Sequence, residues 1–250
     1  MVDDEYLEAV DYTRDDIAPE DFEDIDLAVK LADVSRTYTM ADREIGALKN
    51  VDLEVKPGDF VVVSGHSGSG KTTLLNIIGA IDVASSGRVY VMDVPIGDYD
   101  ESFRASFRLI TTGFIFQSYN LVSTLTAMEN VMFPMQLYDK GPQELQEEAM
   151  RLLERVKMEH RADHLPWQLS SGEQQRVAIA RAMANDPPII LADEPTANLD
   201  GESGEMVRTL LNDLNQEEKA VLVMTHDERI IKKPGSRRFT MTDGVLTANV

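Results

Sequence analysis

The 250 residues carry 24 Lys and Arg against 44 Asp and Glu, a formal net charge of −20 that argues against a broad nucleic-acid-binding surface. Cysteine is absent, so no disulfide can form, and no uninterrupted apolar run approaches the roughly 18–20 residues that a bilayer-spanning helix needs. The length suits one large domain or a domain with a subdomain; the start of the chain lacks the basic-then-apolar pattern of a secretory signal, which with the absence of cysteine fits a cytoplasmic protein.

Residues 1–26 hold 12 acidic residues and a single basic one, Arg14, so more than half of the net charge is concentrated there. The composition predicts an acidic, mostly disordered arm. Tyr6, Val10, Ile17, Phe22 and Ile25 leave open a short amphipathic helix that docks on a basic partner. From residue 27 to 250 the chain reads as one domain. Leu27 to Leu31 and Ala47 to Val55 alternate apolar and polar residues, as antiparallel strands with one wet face do, and the Pro57-Gly58 turn closes them. Tyr38, at the end of the first strand, is either ordinary edge packing or a ring on which a base stacks.

Asp59 to Ser64 is a short apolar, β-branched run that reads as a buried strand, and Thr73 to Gly79 has helical spacing. Between them, Gly65-His66-Ser67-Gly68-Ser69-Gly70-Lys71-Thr72 fits the pattern GxxxxGK[ST] at every fixed position. Its glycines let the backbone fold tightly with N–H groups turned inward, so that with the helix N-terminus they cradle phosphate oxygens. Lys71 reaches the β- and γ-phosphates in such a loop, and the Thr72 hydroxyl ligates Mg²⁺. A flexible Gly/Ser turn would require neither the lysine and hydroxyl at these offsets nor the apolar strand before them.

A Ser85-Ser86-Gly87 turn, a strand at Arg88 to Val91, a helix near Glu101 to Leu109 and a strand at Gly113 to Phe116 follow, with Gln117 at the strand's end. Residues 118–170 then read as an inserted helical subdomain: Thr126 to Leu137 and Pro142 to Met158 have helical spacing, and Thr126 and Glu129 have that of a capping box. Its methionines, Met128, Met132, Met135, Met150 and Met158, are expected in the core, where methionine fills gaps between helices. The α/β pattern resumes with a helix at Gly172 to Ala184, the strand Ile189 to Ala192, a helix near Gly204 to Leu214, the strand Ala220 to Met224 and a hairpin around Thr242-Asp243-Gly244. Such alternation predicts a mostly parallel sheet with its ligands at the carboxyl ends of the strands.

Two of those ends carry candidate chemistry. Asp193 follows Ile189 to Ala192 and can hold Mg²⁺ opposite Thr72, while Glu194 is placed to polarise an attacking water. Paired acids ending a strand are often only solvated; the GKT loop upstream tips the reading toward function. Thr225-His226-Asp227 ends the next strand, where His226 reaches a γ-phosphate.

Leu169-Ser170-Ser171-Gly172-Glu173-Gln174-Gln175-Arg176 resembles the signature sequence of the ATP-binding cassette ATPases, and the segment from Tyr38 to His226 resembles one nucleotide-binding domain of that family. The resemblance implies a P-loop α/β fold with an N-terminal antiparallel β subdomain and an inserted α-helical one, binding ATP and Mg²⁺. It assigns Tyr38 to the adenine, Gly65 to Thr73 (with Ser67, Gly68, Ser69, Gly70, Lys71, Thr72 and Thr73) to the phosphates, and Thr72, Asp193 and Gln117 to the metal. Glu194, His226 and Gln117 take catalytic roles; Ser170, Ser171, Gly172, Glu173 and Asp200 meet the nucleotide of a second copy in a head-to-tail dimer. Ser171 stands where the family usually has glycine, and Glu173 where glutamine is commoner.

Phe114 to Leu121 with Leu125 to Val131 is similar to the subfamily of lipoprotein-releasing and macrolide-efflux ATPases, which work as homodimers at the cytoplasmic face of the membrane on a separate permease. The alternative within the lineage is the cell-division ATPase, whose membrane partner transports nothing. A soluble cassette ATPase of DNA repair or translation is disfavoured by the single cassette and the negative charge, and no nucleic-acid partner is expected.

Overall fold

The computed structural model describes residues 26–40, 43–137 and 141–249, so the expectation of an acidic arm lies outside the described residues except for Asp26. Two sheets form the frame. The first has the order β2-β1-β4-β5, built from β1 (Val29–Met40), β2 (Arg43–Val55), β4 (Ser86–Val91) and β5 (Val94–Pro95), all antiparallel. The segment expected at Ala47 to Val55 lies within the longer β2, whereas the one expected at Leu27 to Leu31 starts two residues later, at Val29, and runs on to Met40. The second has the order β10-β9-β3-β8-β7-β6, from β3 (Phe60–Ser64), β6 (Thr112–Ile115), β7 (Ile189–Asp193), β8 (Ala220–Met224), β9 (Arg237–Thr242) and β10 (Val245–Ala248). Its five strands from β9 to β6 run parallel, and β10 returns antiparallel through the turn Asp243-Gly244, where both residues take positive φ as a two-residue hairpin requires.

Side-chain alternation along the central strands divides the interior in two. Val61, Val63, Leu191 and Leu222 join the core shared with the antiparallel sheet and the helix α1 (Lys71–Ile78). Val62, Ile190, Val221 and Val223 face the opposite core, which contains α5 (Ser171–Ala182) and α6 (Gly201–Gln216). Strands buried on both faces explain why each reads as an unbroken apolar run. The helix α2 (Glu101–Thr111) leads straight into β6.

Between β6 and α5, residues 118–170 contain α3 (Ala127–Met132), α4 (Pro142–Arg155) and short 3-10 turns, and among the described residues no strand. The expected capping box forms: the Glu129 N–H donates to Thr126 Oγ1 at 3.2 Å and the Thr126 N–H to Glu129 Oε2 at 2.8 Å. The single helix read from Thr126 to Leu137 does not form. The α-helix stops at Met132 and gives way to a 3-10 stretch, Phe133–Leu137, because Pro134 lacks the N–H and crowds the preceding turn. Met135 and Met158 are fully buried, with Met128, Met132 and Met150 packed against the same core. A short helix, α7 (Glu228–Ile231), follows β8.

Candidate active site

The loop between β3 and α1 is shaped by close backbone contacts. A Cβ on Gly65 would lie 2.3 Å from the Met241 carbonyl oxygen, and one on Gly70 2.5 Å from that of Ala47; both glycines also have positive φ. The loop is therefore pinched between β9 and β2. The Lys71 ammonium, on a residue only 8% exposed, turns back into the loop and donates to the Gly65 carbonyl at 2.7 Å and the His66 carbonyl at 3.2 Å. Ser69 Oγ is buried in the same loop and has no partner, an orphaned polar atom of the kind that a bound oxyanion satisfies.

Three strand ends converge beside it. The Thr72 hydroxyl donates to Asp193 Oδ2 at 2.7 Å, joining the first turn of α1 to the end of β7 across 121 residues of sequence. Burial pushes the Asp193 carboxyl above its usual range; the Thr72 hydrogen bond opposes the rise, the Glu194 charge adds to it, and Lys71 works against it. Glu194 takes a positive φ of 47°, and its N–H donates to the Met224 carbonyl at 2.8 Å, which fixes the direction of its side chain. Its Oε2 receives the His226 N–H at 3.2 Å and lies 2.9 Å from His226 Nδ1. The Glu194 side chain is 13% exposed and that of His226 77% exposed, so a partly buried carboxylate is held from the solvent side by an open imidazole.

Hard oxygen donors, one hydroxyl and one carboxylate at 2.7 Å from each other, suit Mg²⁺ rather than a softer metal. Among the described residues no group of three or more His, Asp or Glu could cage a metal ion, so a cation here would share its coordination with phosphate oxygens and water.

Not every expected residue joins this cluster. Gln117 stands exposed just past β6. Beside it, Phe114, Phe116, Phe133, Pro134, Arg181 and Asn185 line a groove of about 280 Å³, and Phe133 is 56% exposed. The signature residues gather separately, at the start of α5. Ser170 caps α5, its Oγ accepting the Glu173 N–H at 3.3 Å while Glu173 Oε2 accepts the Ser170 N–H at 2.8 Å. Glu173 also receives Arg161 Nε at 3.2 Å. Burial works against its charge, but the Ser170 donors and Arg161 hold the carboxyl below its usual range. Ser171 is exposed, whereas Gly172 is the crowded position: a Cβ there would lie 2.3 Å from Ser203 Oγ. Asp200 caps α6, accepting the Ser203 N–H at 2.7 Å.

Three features carried no readable signal in the sequence. Tyr38 OH donates to Asp82 at 2.6 Å. Asp227 Oδ2 accepts from Thr196 Oγ1 at 2.9 Å and Arg208 at 2.8 Å, tying the segment after Glu194 to that after His226. Buried Gln175 donates to the Pro195 carbonyl at 2.8 Å. Each partner lies 19 or more residues away in sequence, so only the fold reveals them.

A glycine-pinched phosphate loop ahead of a helix, with carboxylates at the end of a parallel strand one place further along the sheet and tied to that helix through Thr72, defines a P-loop nucleotide-hydrolysing domain. The family model described as ABC transporter matches residues 48–197, and the chain belongs to that family of ATP-binding subunits. It is 47% identical over 221 residues to the ABC transporter ATP-binding protein MJ0796 of Methanocaldococcus jannaschii, covering 86% of this chain and 94% of that one. It is 41% identical to the lipoprotein-releasing system ATP-binding protein LolD of Idiomarina loihiensis, covering 88% and 97%. The dimeric post-hydrolysis structure of the MJ0796 cassette bound to ADP and Pi superposes with a TM-score of 0.84 at 44% identity, covering 88% of this chain and 97% of that one.

Proposed function

We propose that this chain is the ATP-hydrolysing subunit of a membrane exporter of the lipoprotein-release or macrolide-efflux kind. It works as a homodimer at the cytoplasmic face of the membrane, driving a separate permease. The observation that carries the reading is the convergence of Thr72 with Asp193 at 2.7 Å and of Glu194 with His226 at 2.9 Å on one edge of the sheet, beside a phosphate loop. The exposed Phe133 groove next to Gln117 offers the permease an apolar seat.

In this reading Lys71 exchanges the Gly65 and His66 carbonyls for phosphate oxygens, and Thr72 and Asp193 hold Mg²⁺. Bound there, the ion would neutralise charge on the β- and γ-phosphate oxygens. Glu194 orients the attacking water and draws on its proton; His226 fixes the carboxylate that does so. Tyr38 receives the adenine. Ser170, Ser171, Gly172 and Glu173, with Asp200, meet the nucleotide of the opposing copy, where the start of α5 presents N–H groups and a positive dipole end.

The test is Glu194→Gln. Turnover of Mg-ATP is expected to fall at least about 100-fold, the lower range for losing a general base. Light scattering on the same variant is expected to show a monomer without nucleotide and a dimer with ATP. Parent-like turnover would remove Glu194 from the chemistry, and a monomer with ATP demonstrably bound would remove the sandwich.

A further inference from the structure

Arg36 and Tyr38 are two residues apart on β1 and therefore share one face of the strand. Both converge on one carboxylate. Asp82, in the turn after α1, accepts Tyr38 OH at 2.6 Å and Arg36 Nε at 3.1 Å on Oδ2, and Arg36 Nη2 at 2.7 Å on Oδ1. The Val83 N–H, at 2.8 Å, completes the set. The Arg36 guanidinium also lies over the Tyr38 ring, 4.6 Å from its centroid. Three side chains thus close a triangle in which every edge is a direct contact, and the side chains of Arg36 and Asp82 are only 21% and 20% exposed.

The triangle is wired to the phosphate loop from two sides. The turn that carries Asp82 is fixed on α1, because the N–H groups of Ile81 and Asp82 both donate to the Asn76 carbonyl, at 2.8 and 3.1 Å. Lys71 opens that same eight-residue helix. On the other side, Tyr38 pairs with Ile45 and Thr37 with Gly46 on β2, and the next residue, Ala47, presses its carbonyl against Gly70. Ser85 laces β1 to the same turn, its N–H donating to the Ser35 carbonyl at 2.8 Å and its Oγ accepting the Thr37 N–H at 3.0 Å.

We propose that Arg36 and Asp82 are positioning residues for the nucleotide base: they fix the plane of Tyr38 and hold it at a set distance from the phosphate loop. One face of the ring is covered by a cation, so the base stacks on the other. A guanidinium behind the ring draws on its electron density, favouring an electron-rich purine in front. The inference rests on the reading that Tyr38 takes the adenine.

The experiment compares Mg-ATP with Mg-tripolyphosphate, which has the phosphates and no base, on the full chain by calorimetric titration. Tyr38→Ala is expected to weaken Mg-ATP about tenfold or more, as loss of a stacked base does, and to leave tripolyphosphate within about twofold. Tyr38→Phe, Asp82→Asn and Arg36→Lys are each expected to weaken Mg-ATP about threefold to tenfold, the range of one lost hydrogen bond, with tripolyphosphate again unmoved. Tyr38→Phe combined with Asp82→Asn should be no worse than Asp82→Asn alone, since the Tyr38 bond is among those that Asp82→Asn disturbs. If Tyr38→Ala leaves the ATP-to-tripolyphosphate ratio unchanged, the base reading itself fails. If only Tyr38→Ala changes the ratio, the base reading stands and the positioning role falls. If Asp82→Asn weakens both ligands equally, Asp82 merely supports the loop, and the proposal is again overturned.

Discussion

Replacing Gly172 by alanine tests how closely α5 and α6 are packed at their first turns. The added Cβ would lie 2.3 Å from Ser203 Oγ and 2.8 Å from Ser203 Cβ. Turning the hydroxyl relieves the first clash but not the second, so the helices must part by about 0.6 Å to restore an ordinary 3.4 Å contact. Ser203 has little slack, because its N–H and hydroxyl are both tied to Asp200, at 2.7 and 3.2 Å. Overpacking of this kind costs about 1–3 kcal/mol. In a chain of this size that lowers the melting temperature by about 2–12 °C. Circular dichroism melts of the nucleotide-free protein would read the loss, and the same substitution in a Ser203→Gly background should cost little, since the obstructing atoms are gone. An unchanged melting temperature for Gly172→Ala, or an equal loss in both backgrounds, would refute the packing argument.

Two further outcomes are expected. Buried Asn130 holds the Val122–Thr126 segment by donating to the carbonyls of Val122, Leu125 and Thr126 and accepting the Val122 N–H; Asn130→Ala should destabilise the fold by about 2–4 kcal/mol in urea titrations, the cost of leaving several such groups unpaired. Because Asp193 is penalised as a carboxylate, the folded chain keeps its proton to higher pH than the unfolded chain does, so stability falls as pH rises from 3.8 through the raised folded value and levels off above it. Asp193→Asn should therefore melt higher than the parent at pH 7, with a gain that shrinks as pH falls through that window, while losing ATP turnover; a lower melting temperature at pH 7 would contradict this.

Much of the site was legible because its parts are local. The phosphate loop needs glycines, a lysine and a hydroxyl within one stretch, and strands buried on both faces betray themselves as apolar runs that end in Asp193 and His226. What stayed hidden depends on contacts between distant segments. No spacing relates Arg36 to Asp82, 46 residues on, or Thr196 to Asp227. The Phe133–Leu137 stretch kept a helical pattern of apolar residues, which hid the break at Pro134 until the backbone was seen. Ser171 is the departure from the family's usual signature, whereas packing marks its neighbour Gly172, which abuts Ser203.

The cap on α5 has a consequence for what its outer surface recognises. A serine hydroxyl has one proton to give and two lone pairs to receive with. Ser170 spends a lone pair inward, on the Glu173 N–H, and its hydroxyl helps to hold the Glu173 carboxyl in its charged form. Because Arg161 and the Ser170 N–H occupy the Glu173 oxygens, the acid that completes the cap is turned away from any visitor. The exposed end of the helix is thus left rich in donors, and a group that arrives there must bring lone pairs: the surface sorts by hydrogen-bond polarity before it sorts by charge.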